Sequence, residues 1–437
     1  MLNKFKKIIS LDNPMRLLYH KIRAIIANIY YGFPSKDMVV IGITGTNGKT
    51  TTCNIVAKGL SAMGKKVFMF STVNIIIGDE EIKNDTKMTS PDAFELQRLL
   101  KIAKNKGCEI AIIETASHGL KMNRVWGIEY DIAVLTNITQ DHLDLHKTMH
   151  DYVNTKLSLF KNLIGFKRKK GVKKSAIINI NSNYSDLFIS ETYDSLYTYG
   201  TDKGATLVAT NIVSDGLITK FIVDVAGPNI EIETKLKGDF NIQNILAAVG
   251  VFMALGVKAN DISKNVKLIT GIPGRMENIE NDEGFQVIVD YAHTEDALEK
   301  VLQTIRKFKN VGKIITVFGA TGDRDKTKRP LMGEIVSRLS DTVILTQDDD
   351  YSEKTEDIIK DVIPGIERKE GENFWIITTR REAIQAALLK AEKNDVVLIA
   401  GKGDEHVMMT NEGPVEWHDK QVILDILKGI DDNKVIN

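Results

Sequence analysis

The residues best suited to chemistry lie in "GITGTNGKTTT", positions 42–52. A Gly-rich turn between a strand and a helix turns backbone N–H groups toward phosphate oxygens. Gly45 and Gly48 permit close backbone approach, Lys49 reaches the outer phosphates, and the Thr50 hydroxyl can ligate Mg²⁺. The general phosphate-loop pattern places a glycine five positions before its Gly-Lys pair, and Ile43 occupies that position here. Taken alone, the stretch reads as well as an ordinary strand-to-helix turn. A divalent cation beside bound phosphates also needs oxygen ligands, which in open α/β sheets come from the carboxyl ends of strands. Glu114 closes the apolar run "EIAIIE", and "TNITQDHLDLH" brings Asp141, His142, Asp144 and His146 to the same edge. Each also has a bland reading, as a strand-end acid facing water or as polar loop residues.

The elements that must position these residues follow from hydrophobic periodicity. "MVVIGI", "KVFMF", "EIAIIE" and "IAVLTNI" read as buried strands alternating with helices after Thr50 and Asp92, which implies a parallel, doubly wound sheet. Residues 205–236 alternate around an Asp-Gly turn and read as an antiparallel hairpin added to that sheet. "GIPGRMENIE" marks a hinge near residue 272. Beyond it "FQVIVDY", "KIITVFG", "DTVILT", "FWIITT" and "DVVLIAG" restart the alternation. The expected fold class is α/β: a central P-loop ATPase-like, mostly parallel sheet with a small antiparallel addition, then a C-terminal Rossmann-like α/β domain. The expected division is 1–37, a short basic helical segment, then 38–272 and 273–437.

Composition bounds the partners. The 437-residue chain carries 58 basic and 58 acidic side chains, so no global charge attracts nucleic acid or an acidic membrane. Its two cysteines, Cys53 and Cys108, argue against a disulfide framework and suit a reducing cytoplasm, and no apolar run or leader pattern suggests a span or a signal peptide. Residues 1–38 differ, with seven Lys/Arg (Lys4, Lys6, Lys7, Arg16, Lys21, Arg23, Lys36) against Asp12 and Asp37. Leu18, Ile22, Ile25, Ile26 and Ile29 recur there at helical spacing, as in a basic amphipathic helix lying on a membrane or a lipid-linked substrate, or in a helix packed on the next domain with its basic face in water.

Eight stretches occur in order: "TGTNGKTTT", "ETASHGL", "TNITQDHLDLH…YVNTKLSLF", "GDFNIQNILAA", "PGRME", "DYAHTEDAL", "FGATGDRDKTKRP" and "GKGDE". Together they resemble the Mur ligase family, most closely its tripeptide-forming branch, from about residue 38 to the C-terminus. The family's own loop is of the TGTNGK type, so Ile43 fits the resemblance. What it implies is an ATP-dependent, ADP-forming acid–amino-acid ligase of cell-wall biosynthesis, cytoplasmic and monomeric, in which the γ-phosphate passes to a carboxylate and an amine attacks the acyl phosphate. Such chemistry calls for clustered cations and a closable, dry site, a role the hinge near residue 272 would serve.

By the same resemblance, Gly45, Thr46, Asn47, Gly48, Lys49, Thr50 and Thr51 hold the phosphates of ATP, and Thr50 and Glu114 share one Mg²⁺. A second Mg²⁺ falls to His142 and to a carbamate on Lys156, since CO₂ addition turns a repelled ammonium into an anionic oxygen ligand. Asn244 matches an adenine-contacting asparagine. Arg275, Asp290 and His293 match the positions by which the C-terminal domain reaches the nucleotide, with a hinge salt bridge and strand-end capping as their structural readings. Thr89, Ser90, Ser117 and Arg124 match the muramoyl-peptide site, and Arg324, Gly401 and Glu405 match the amino-acid site.

The pattern breaks twice. About 37 residues precede the first strand, too few for the UDP-binding domain of about a hundred residues that such ligases carry. A lipid-linked or otherwise carried peptide is the expected alternative. The second break is "TQDDDYSEK", where the diaminopimelate branch has Asn-Pro-Arg: Asp349 stands for the asparagine and Tyr351 for the arginine. The missing arginine disfavours diaminopimelate, and Asp348, Asp349 and Asp350 suit a second ammonium, as in lysine or ornithine, unless they form an exposed acidic loop. A pseudomurein-type, polyglutamate or cyanophycin-like ligase is the competing enzyme reading. A degenerate ATP-binding scaffold is disfavoured because Lys49, Thr50, Glu114, His142 and Lys156 are all present.

Overall fold

A computed structural model describes residues 13–435 apart from 85, 87, 203 and 215–217. The chain divides into two compact α/β units that meet in sequence between Thr270 and Gly271. The first begins with α1 (Pro14–Tyr31), which Asn13 caps by accepting the Met15 N–H at 2.9 Å and which Gly32 ends in the left-handed conformation. Its small residues Ala24 and Ala27 pack inward with Ala93, whereas Met15, Leu18, Ile22, Ile26, Ile29 and Tyr30 are exposed. Of the basic residues noted in this segment, Lys4, Lys6 and Lys7 lie outside the described residues. No helix among those described is long and apolar enough to cross a membrane.

The strands of this unit are β1 (Val39–Thr44), β2 (Val67–Phe70), β3 (Asn74–Ile77), β4 (Glu80–Lys83), β5 (Ile110–Glu114), β6 (Ile132–Leu135), β7 (Ser175–Asn179), β8 (Ser195–Gly200), β9 (Leu207–Ser214), β10 (Thr219–Asp224) and β11 (Ile230–Thr234). They form one sheet in the order 11-10-9-8-7-6-1-5-2-3-4. From β9 to β2 every pairing is parallel, and both margins turn antiparallel. The expected antiparallel addition is thus three-stranded, β9–β10–β11, and its Asp215-Gly216 turn lies outside the described residues. The opposite margin, β3–β4, was not expected from periodicity, because β4 is exposed throughout and shows no buried face. In β1, Val40, Ile41 and Ile43 are all fully buried, the signature of a central parallel strand covered on both faces.

The second unit holds β12 (Glu277–Ile279), β13 (Gln286–Asp290), β14 (Ile314–Phe318), β15 (Thr342–Leu345), β16 (Phe374–Ile376) and β17 (Val396–Ala400) in the order 12-13-17-14-15-16, parallel except for β12. A separate hairpin, β18 (Val407–Thr410) and β19 (Gly413–Glu416), follows β17. The fold class is therefore α/β in both units, with a mostly parallel central sheet that carries antiparallel strands.

Candidate active site

The first candidate site grows from the parallel register of β1, β5 and β6. Ile43 pairs with Glu114 and Thr44 with Leu135, so the residues just beyond these strand ends converge on one edge of the sheet. The loop leaving β1 leads into α2 (Lys49–Ala62), placing helix-start N–H groups at that edge. Gly48 sits at φ 82° as the helix N-cap, and a Cβ there would overlap the Asn244 side-chain oxygen. A Cβ on Gly45 would overlap Thr136 Oγ1, so the loop lies too close to its neighbours for any larger residue.

The segment after β6 holds this loop from the side. Asn137 accepts the Thr46 N–H through its carbonyl (2.8 Å) and the Asn47 N–H through its side chain (2.9 Å), and Thr136 Oγ1 donates to the Asn47 carbonyl at 2.6 Å. Thr46 Oγ1 lies 3.0 Å from the Tyr152 hydroxyl. Thr136, Asn137 and Tyr152 went unassigned in the sequence, although all three lie inside the quoted "TNITQDHLDLH…YVNTKLSLF" stretches. Their signal was there, but their part is to hold the loop, which is visible only in three dimensions.

Two lysines reach the same loop. Lys49 Nζ donates to the Thr46 carbonyl at 2.7 Å, and Lys156 Nζ, on the helix Met149–Gly165, donates to the Gly45 carbonyl at 2.6 Å. Lys156 is 1% exposed and its amine stands 4.4 Å from the Tyr152 ring centre. Burial and then the Lys49 charge push its pKa well below the ordinary lysine value, against the pull of Asp141. Both oxygens of the buried Glu114 carboxylate accept from Thr50 Oγ1, at 2.9 and 3.0 Å, and one also accepts the Thr72 N–H at 2.7 Å. Thr51, next in the helix, is buried, and Asn244 donates to Asn241 Oδ1 at 2.9 Å.

His142 caps the short helix Leu143–His146 in the left-handed conformation (φ 55°), with its N–H bonded to Asp141 Oδ1 at 2.8 Å. Its ring packs edge-on against His118 (centres 4.6 Å apart), and burial, opposed by Asp141, holds its pKa well below 6.5. His146 is buried against Tyr152, and burial together with Lys121 pushes its pKa down to about 4. The Asp144 side chain lies outside the described residues.

The predicted peptide-binding residues gather beside Glu114. Ser90 Oγ donates to the Glu114 carbonyl (3.3 Å) and accepts the Ala116 N–H (3.2 Å), and Thr72 Oγ1 donates to Thr89 Oγ1 at 2.9 Å. Arg124 Nη1 donates to the Ser90 carbonyl at 2.9 Å, and burial lowers its pKa, the condition of a cation that gains from an anion. Ser117 Oγ is buried without a hydrogen-bond partner in the structure.

The second unit carries its own cluster. Asp290, at the end of β13, is buried and accepts the Met276 and Ala292 N–H groups at 2.7 and 2.8 Å, so both oxygens cap backbone. Arg275 stacks on the Tyr291 ring at 4.2 Å, and His293 Nδ1 lies 2.8 Å from the Tyr291 carbonyl. Asp348, Asp349 and Asp350 are all buried, so the exposed acidic loop is not what the chain forms. Asp349 Oδ1 accepts from Lys402 Nζ (2.8 Å) and from the Met409 N–H (2.7 Å), and Lys402 also pairs with Glu405 at 2.5 Å. Asp348 Oδ2 and Asp350 Oδ1 are buried without hydrogen-bond partners in the structure. Gly401, at φ 112°, leaves no room for a Cβ against Asp348 Oδ2. Arg324 lies 5.4 Å over the Tyr351 ring, and Tyr351 itself adopts φ 53°. Sequence reasoning missed Lys402, which stands inside the quoted "GKGDE".

A phosphate-type loop at a switch in a mostly parallel sheet, followed by a second α/β unit, defines a nucleotide-dependent α/β enzyme class. Within that class, residues 43–252 match the Mur ligase middle domain and residues 274–403 the Mur ligase glutamate ligase domain. The chain is 37% identical over 412 residues to the UDP-N-acetylmuramoyl-L-alanyl-D-glutamate–2,6-diaminopimelate ligase of Clostridium botulinum, covering 94% of this chain and 82% of that one. It is 37% identical over 425 residues to the ligase of the same name in Bacillus cereus, covering 96% and 85%. A solved structure of a ligase of that name matches with a TM-score of 0.63 at 30% identity, over 94% of this chain and 83% of its own. The chain belongs to the Mur ligase family, whose members are ATP-dependent, ADP-forming acid–amino-acid ligases.

Proposed function

We propose that this enzyme extends a glutamyl cell-wall peptide by one amino acid that bears a second ammonium group. The γ-phosphoryl group of ATP passes to the glutamyl carboxylate and ADP leaves. The amine then attacks the carbonyl carbon, inorganic phosphate departs, and the amine's proton is lost. The observation that carries this reading is the convergence of Lys49, Lys156, Thr50 and Glu114 on one loop.

In this reading the loop Gly45–Thr50, together with Thr51 in the first turn of α2, holds the phosphates, and Asn244 borders the adenine side. Lys49 neutralises charge as it shifts during phosphoryl transfer. Oxygen donors within 3.0 Å of each other at Thr50 and Glu114 suit one Mg²⁺, and His142 with Lys156 would hold a second. Bound Mg²⁺ supplies charge neutralisation on the transferring phosphoryl oxygens. The depressed basicity of Lys156 supports carbamylation: the neutral amine adds to CO₂, an N–C bond forms, one proton leaves, and an anionic oxygen faces the loop. Thr89, Ser90, Ser117 and Arg124 receive the peptide, with Arg124 on a carboxylate. Arg275 and His293 are assigned to the nucleotide, while Asp290 offers a ribose only what its two backbone caps leave.

Asp348 Oδ2 and Asp350 Oδ1 support the second ammonium, because a buried carboxylate oxygen without a donor is costly until a cation meets it. Glu405, Gly401, Asp349 and Arg324 frame the amino acid, and Tyr351 offers no charge to a distal carboxylate. The test is an ADP-release screen crossing UDP-N-acetylmuramoyl-L-alanyl-D-glutamate and other glutamyl carriers with lysine, ornithine and diaminopimelate. Lysine or ornithine should turn over best. Preference for diaminopimelate overturns the charge argument at Tyr351, and ADP release with no wall peptide overturns the acceptor.

The exposed apolar face of α1 supports a further element, contact with an anionic membrane surface. Met15 and Tyr30 are 80% and 75% exposed, and the segment carries five more cations than anions over residues 1–38. The enzyme should co-float with phosphatidylglycerol vesicles, and Ile22→Glu with Ile26→Glu should abolish that. Equal flotation of the double variant overturns the contact.

A further inference from the structure

The hairpin after β17 creates a second cluster of donors, to which the mechanism proposed above gives no role. Val407 pairs with Glu416 in β18–β19, and one step further out the Trp417 N–H bonds to the His406 carbonyl at 3.0 Å. This pairing brings Asp404 and His406, on the strand leading in, beside His418 on the chain leading out. His418 Nε2 lies 3.0 Å from Asp404 Oδ1 and His406 Nε2 lies 3.9 Å from Asp404 Oδ2. The two imidazole rings are 4.0 Å apart at 41°, and one donor atom from each of the three residues lies within 4.8 Å of the others.

We propose that Asp404, His406 and His418 bind a transition-metal dication of the Zn²⁺ class. Two imidazoles and one carboxylate form the nitrogen-rich donor set that such ions prefer, whereas Mg²⁺ selects oxygen ligands. Donors on a tetrahedral Zn²⁺ stand about 3.3 Å apart, close to the 3.0 and 3.9 Å by which the two imidazoles stand from Asp404. Three protein ligands leave a fourth position for water or another ligand.

The frame behind the site is tied together by buried contacts. Asp419, next to His418, is fully buried and takes a two-pronged ion pair from Arg380 at 2.8 and 2.7 Å as well as the Trp417 Nε1–H at 2.8 Å. Arg380 in turn donates to the Ala400 carbonyl at the end of β17. Metal binding would join the 402–406 loop to the strand exit at 417–419. Glu405, between two of the ligands, would be fixed along with them.

The full-length chain, stripped with chelator, should bind about one Zn²⁺ at this site by competition against a chromophoric chelator. His406→Gln and His418→Gln should each lower the affinity by no less than the roughly 10–100-fold that loss of even an outer partner costs. The other histidine group, His118, His142 and His146, is separated by His142→Gln, which should leave this binding intact. In that His142→Gln background Co²⁺ should give the intense visible bands of tetrahedral coordination, and Asp404→Asn should weaken them. Zn²⁺ affinity unmoved by His406→Gln and His418→Gln, or lost only with His142→Gln, overturns the site. So do the weak bands of octahedral Co²⁺, an outcome that does not depend on how well the ligand variants fold.

Discussion

Lys156 in the first unit and Lys402 in the second are both withdrawn from water, at 1% and 0% exposed, yet they have been pushed in opposite directions. For Lys156, burial and the Lys49 charge depress the pKa, and its hydrogen bond goes to a backbone carbonyl. For Lys402, burial pulls the same way, but Glu405, Asp348 and Asp349 outweigh it and raise the pKa. Burial therefore sets the stakes and the neighbours decide the charge. An amine whose pKa is lowered gives up its proton more readily, and the free amine is the form that takes up CO₂. An amine kept charged is a structural cation that holds a cluster of acids together.

The contrast can be broken most severely at Lys156. Lys156→Met should lower ADP release by at least about 10²–10³-fold, the scale of losing a preorganised electrostatic group at phosphoryl transfer. Bicarbonate depletion should inhibit the wild type and leave the residual rate of the variant unchanged. Full activity in Lys156→Met would remove the carbamate from the mechanism.

Lys402→Met should act on stability instead, by about 3–5 kcal/mol in urea unfolding, because the buried Asp349 and the partly buried Glu405 then lose their cation. Lys156→Met, which removes a buried amine that makes no ion pair within 4.0 Å among the described residues and feels Asp141 only as a weaker pull, should change stability by about 1 kcal/mol or less, in either direction. Equal destabilisation by the two substitutions would sink the comparison.

The smallest effect is in the pH dependence, measured on protein free of metal, nucleotide and CO₂. Lys156 has a folded pKa below the ordinary 10.5, so the unfolded chain binds the extra proton and wild-type stability rises with pH up to about that value. Lys156→Met should flatten that rise. Lys402 has a folded pKa above 10.5, so its contribution is complete below 10.5 and is lost as pH rises through the folded value. The gap between wild type and Lys402→Met should accordingly narrow only in strong alkali.

Much of the first candidate site was legible because its parts are local. Gly45, Gly48, Lys49 and Thr50 sit within six consecutive residues, and Glu114 and His142 follow recognisable apolar strands. The five strands expected in the second unit all form, since each is a short β-rich run between turn signals. β4 escaped because an exposed margin strand shows no buried face, and Lys402 escaped because its partner Asp349 lies 53 residues away. The face of α1 was ambiguous for a similar reason: a helical stripe of Leu and Ile does not say whether small residues such as Ala24 and Ala27 will be the ones that pack.

By itself, then, the sequence determined the α/β class, the family and the candidate phosphate loop as a strand-to-helix turn, because strand periodicity and contiguous motifs are written in order along the chain. Only the tertiary structure decided which lysine has its pKa lowered and which has it raised. It alone decided that Asp348–Asp350 lie buried, and that Asp404, His406 and His418 meet. Each of these depends on the local density of charge and the exclusion of water, which arise when distant segments fold against one another.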